Sequence, residues 1–82
     1  MDENNPDVLV LEVSKSELFD MVTAMIVRAE RFISLRAPLV LIDQIIDRAE
    51  KFNRILKESG YNHWTKEKFI DLKEKARYEG IQ

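Results

Sequence analysis

Apolar residues recur along this chain at helical spacing in two successive stretches, and both stretches carry one motif in one phase. From Leu18 the row Leu18, Val22, Met25, Ala29 and Phe32 advances by four and three, with Phe19, Ile26 and Ile33 beside it. Beyond Pro38 a second row runs Ile42, Ile45, Ala49, Phe52 and Leu56, widened by Leu39 and Ile46. Rows this broad belong to bundle helices rather than to the narrow seam of a two-stranded coiled coil. Within them lie the pentads Arg28-Ala29-Glu30-Arg31-Phe32 and Arg48-Ala49-Glu50-Lys51-Phe52. Each is read as a packing solution, with alanine and phenylalanine turned inward, a small residue beside a large one. Two copies twenty residues apart fall short of a solenoid.

Local signals set the ends of the predicted helices. Ser14-x-x-Glu17 is a capping box with Val13 and Leu18 at the staple positions, which starts helix one and predicts it over 14–36. Pro38 disfavours helical geometry at Ala37 and is tolerated in a first turn, so helix two is predicted over 38–59. One long helix kinked at Pro38 is the competing picture. The hairpin is preferred because an interior proline costs about 3 kcal/mol and a hairpin lets the two rows bury each other. Gly60 suits the left-handed position after helix two, folding Tyr61 back on Leu56. Thr65, with Trp64 and Phe69 around it, starts helix three over 65–79. The apolar side of helix three is narrow, Phe69, Leu72 and Ala76, so it should lie across the hairpin. Glu50 with Arg54, Asp47 with Lys51 and Asp71 with Lys75 are spaced as i,i+4 ion pairs.

Ahead of the helices, residues 1–13 form an acidic arm in which Val8 to Val13 reads as a short strand. No second strand is available within the chain, so its partner would be the same segment of another protomer; the alternative is an extended segment lying on the helices. The predicted fold class is all-α: a helical hairpin plus a third helix in a single domain over 1–82, preceded by a short extended or β segment, assembling as a dimeric helical bundle.

Composition narrows the chemistry. A core this small is marginal alone, and the absence of cysteine removes disulfides as a support, which leaves oligomerisation. Helices one and two carry more apolar surface than one facing helix covers, and the expected dimer contacts are Val8, Val10, Met21, Met25, Leu39 and Leu41. The acidic start lacks the basic region of a signal peptide, and no apolar run reaches spanning length, so a cytoplasmic protein without membrane contact is expected. With one histidine and glycine only at positions 60 and 80, no metal, cofactor or phosphate-loop site is expected, and no enzyme.

Seven bases between Arg28 and Lys57 are interleaved with Glu30, Asp43, Asp47 and Glu50, the pattern of a solvated surface. Helix three, with Lys66, Lys68, Lys73, Lys75 and Arg77, is the better candidate for contact with a phosphate backbone, though its four acids nearly cancel it. Tyr61, His63 and Trp64 form the densest aromatic cluster and are the expected partner-binding residues, with the stapling of helices two and three as the other role for Tyr61 and Trp64. The expected function is a small non-catalytic protein-interaction module, a homodimeric regulator, inhibitor or adaptor that contacts another protein. A nucleic-acid-binding regulator is the alternative.

Overall fold

The computed structural model describes residue 9 and residues 11–80, with side chains through Tyr78. Among these the chain forms three helices, α1 Lys15–Ser34, α2 Leu39–Glu58 and α3 Lys66–Gly80. Leu9 and residues 11–14 form neither strand nor helix. The strand expected over 8–13 is therefore absent among the described residues, and Val8 and Val10 lie outside them. Leu9 and Leu11 are 81% and 74% exposed, so neither lies on the helices. The physical reason is that a lone strand has no ladder to satisfy its backbone.

The start of α1 follows from Ser14. The Glu17 N–H donates to Ser14 Oγ at 3.1 Å and the Ser14 N–H donates to Glu17 Oε1 at 2.7 Å, closing the capping box. The Ser14 N–H foremost, and the Ser14 hydroxyl after it, hold the Glu17 carboxyl below its ordinary pKa. A depressed acid contributes stability that is complete above its unfolded pKa and is lost as pH falls through the folded one. Ser14→Ala should cost about 1 kcal/mol, and Glu17→Gln should remove the part of the stability that falls away under acid. Thermal melts at a series of pH values measure both.

A hairpin, not a kinked helix, joins α1 to α2. Leu35 caps α1, Arg36 takes the left-handed φ of 56°, and the Arg36 and Ala37 N–H groups donate back to Ile33 and Phe32 oxygens, both at 3.0 Å. This is a Schellman closure built on arginine, at a cost of about 1 kcal/mol relative to glycine. The end of α2 repeats it with the expected residue: Gly60 has φ 76°, and Tyr61 N–H donates to Leu56 O at 3.0 Å. At α3 the Lys68 N–H reaches Thr65 Oγ1 at 3.3 Å.

Residues 21–35 and 41–55 show the same order of buried, half-buried and exposed positions. The core comprises Leu18, Val22, Ile26, Ala29 and Ile33 of α1, Ile42, Ile46, Ala49 and Leu56 of α2, and Phe69, Leu72 and Ala76 of α3. The inward turn expected of the pentads holds for Ala29 and Ala49 but not fully for the phenylalanines. Phe32 and Phe52 are half-buried at the flank, while Ile26, Ile33 and Ile46, read as secondary, are central. Two rows one residue apart differ by only a third of a turn, and the position of a third helix decides between them.

That third helix also departs from expectation. Asn53 bonds to Trp64 just before α3, Lys73 reaches Glu50 at 3.1 Å and Asp47 at 3.3 Å, and Arg77 reaches Asp43 at 3.8 Å. Successive α3 residues thus meet successively earlier α2 residues, so α3 runs antiparallel along α2 rather than across the hairpin. Lys68 ties the same helix to Glu30 of α1 at 2.8 Å. The glutamates of the two pentads therefore clamp α3. Asp47 and Glu50 turn to Lys73 instead of to Lys51 and Arg54, and their hydrogen bonds, Glu50 first, hold the Lys73 ammonium above its ordinary pKa.

Candidate functional site

Two surfaces follow from this packing. The first is the side of the hairpin that α3 leaves open. The α3 side of α1 is marked by Thr23, which accepts from Trp64 Nε1 at 3.0 Å, by Phe19, stacked on Trp64 at 6.3 Å, and by Glu30. On α2 it is marked by Asp43, Asp47, Glu50 and Asn53. Helical periodicity then puts Met21, Met25 and Phe32 on the far edge of α1, and Leu41, Ile45 and Phe52 on the far edge of α2. These are matching positions of the two copies. Met21 and Leu41 are 40% and 42% exposed, and the other four are half-buried. Arg28 lies over the Phe32 ring, its guanidinium carbon 5.5 Å from the centroid, so its charge borders this apolar strip.

Of the expected dimer contacts, Met21, Met25 and Leu41 come together on this open strip. Leu39 packs half-buried against the core at the start of α2, apart from the other three.

The second surface is the corner between α2 and α3. Asn53, 7% exposed, holds it: Asn53 Nδ2 donates to Trp64 O at 3.0 Å and accepts through Oδ1 from the Trp64 N–H at 2.7 Å. Side-chain amide and backbone thereby satisfy each other, which is what allows a polar residue in the core. Trp64 is fixed further by the Thr23 bond and by Phe19, and Tyr61 packs half-buried against the core. His63 is exposed, with Nδ1 2.9 Å from Tyr61 O. A carbonyl only accepts, so Nδ1 carries the proton and Nε2 is left as the open ring nitrogen. The aromatic cluster thus divides: Trp64 and Tyr61 have their rings engaged within the fold, and His63 is presented outward.

A cleft of about 220 Å³ opens beside this corner, lined by Glu50, Asn53, Arg54, Lys57, His63, Trp64, Thr65, Lys66 and Phe69. Sequence reasoning singled out His63 and Trp64 but not Asn53, Arg54 or Lys57. The signal that finds them is a break in the repeat: Asn53, Arg54 and Lys57 stand where the first copy has Ile33, Ser34 and Ala37. The bases of α3 are less available than their number suggests, since Lys68, Lys73 and Arg77 are paired with acids of the hairpin. Among the described residues no helix is long and apolar enough to cross a membrane.

Comparison of the chain with known protein families, curated proteins and solved structures finds no match.

Proposed function

We propose that the protein is a small non-catalytic protein-interaction module, a regulator or adaptor that acts as a homodimer through the open strip of the hairpin. The observation that carries this reading is the strip itself: Met21, Met25 and Phe32 beside Leu41, Ile45 and Phe52, on the side α3 does not cover. Such a strip gains stability when removed from water, at about 25 cal/mol for each Å² buried. A second copy suits it because the strip is made of two equivalent halves, and an isologous interface needs one patch to match itself under a two-fold rotation. The nucleic-acid reading is weaker, because the ion pairs to Glu30, Asp43, Asp47 and Glu50 already neutralise three α3 bases.

Sedimentation equilibrium at micromolar concentration tests the dimer. Wild type should sediment at twice the chain mass, and Met21→Glu combined with Leu41→Glu should sediment as a monomer that keeps its helical circular dichroism. Both sites are part-exposed, so the charges disturb the strip more than the core. A wild-type monomer, or a double variant that remains dimeric, would overturn the assignment of the strip.

A further inference from the structure

We infer that the corner cleft between α2 and α3 is a binding site for the dianionic phosphate of a small phosphate monoester. The argument begins with unbalanced charge. Arg54 and Lys57 project from the last turns of α2 and Lys66 from the start of α3, all three lining one cleft of about 220 Å³. None of the three pairs with a carboxylate among the described residues; the ion pairs present use other bases. The one acid on the cleft wall, Glu50, is engaged by Lys73 at 3.1 Å. Three unpaired cations lining one concavity give it a local excess of positive charge in a chain of net charge -2. An anion in the cleft balances that excess.

The remaining lining suits the phosphate group in particular. Thr65 lines the cleft with a hydroxyl that can donate to a phosphate oxygen. A guanidinium, two ammonium groups and a hydroxyl offer donors from several directions, which fits a tetrahedral dianion better than a planar carboxylate. Trp64, half-buried at the cleft wall, supplies an apolar side for the ester substituent. The volume is below that of pockets for drug-sized ligands, which restricts the substituent to a small body.

The cleft is also built in advance of any ligand. Asn53 binds both backbone groups of Trp64, and the Trp64 ring is anchored to Thr23 and Phe19. The second helix copy departs from the first at Asn53, Arg54 and Lys57 together: one departure fixes the corner, and the other two furnish its charge. Local breaks in an otherwise consistent pattern are where function is expected to sit.

Trp64 is the only tryptophan and lines the cleft, so its fluorescence reports on occupancy directly. Titration of the full chain at constant ionic strength with phenyl phosphate should give a saturable change, and inorganic phosphate in a parallel titration identifies whether ester or free phosphate is bound more tightly. Arg54→Gln and Lys57→Gln should each raise the apparent Kd by about fivefold. Arg31→Gln, an equal loss of charge outside the cleft, should change it by less than about twofold. All three sites are exposed, so the variants should keep the wild-type melting curve. The absence of a saturable change, unaltered affinity in both cleft variants, or an equal loss in Arg31→Gln would overturn the proposal.

Discussion

Ile46→Ala should destabilise the protein by about 2–5 kcal/mol, and Phe52→Ala by less, about 1–2 kcal/mol, although phenylalanine is the larger side chain. Ile46 is fully buried between the hairpin partner and α3, so removing its side chain leaves a cavity that neighbours on three helices must collapse to fill. Phe52 sits half-buried on the flank, where water already reaches part of the ring. A domain of 82 residues has a total stability of about 4–12 kcal/mol, so the Ile46→Ala loss removes a large share of it. Urea denaturation of the two variants beside wild type gives the order. A larger loss in Phe52→Ala at low protein concentration would show that the core row is misplaced. A Phe52→Ala loss that grows with protein concentration reports the dimer instead, because association adds to stability by mass action.

That reversal shows where the sequence stops being informative. The ends of the helices were legible because their chemistry is local: Ser14 and Glu17 close a box across one turn, Gly60 supplies a positive φ, and Thr65 caps α3. The hairpin at Pro38 was also legible, but its means was not, since Arg36 occupies a position that usually advertises itself with glycine. Which row is central was not legible, because both rows of each helix are apolar and the choice depends on where α3 lies. The position of α3 is set by Glu30–Lys68, Glu50–Lys73 and Asp43–Arg77, pairs distant in sequence, and for Glu50 the sequence offers Arg54 as a partner on its own helix. The pentads carried more information than a packing motif: alanine fills the core, glutamate clamps α3, and phenylalanine lies on the open strip.

Asn53 is the residue that sequence alone conceals most completely, and its replacement should have the second large effect. It falls on the core row between Ala49 and Leu56, where a polar side chain reads as an interruption, yet it satisfies both the N–H and the C=O of Trp64. Asn53→Ala should cost about 2–4 kcal/mol, because it removes two hydrogen bonds and leaves part-buried backbone groups without partners. Asn53→Leu distinguishes the cause. The first helix copy has Ile33 at the matching position, fully inside the core, so an aliphatic side chain fits there if volume is what matters. If hydrogen bonding to Trp64 is what matters, Asn53→Leu should be nearly as damaging as Asn53→Ala, and Trp64 emission should shift to the red in both as the corner loosens. The same variants should lose the response to phenyl phosphate while still dimerising, since the cleft depends on the corner and the open strip lies on the other side of the hairpin. Wild-type stability in Asn53→Leu would assign Asn53 to packing alone and remove the argument that the cleft is preformed.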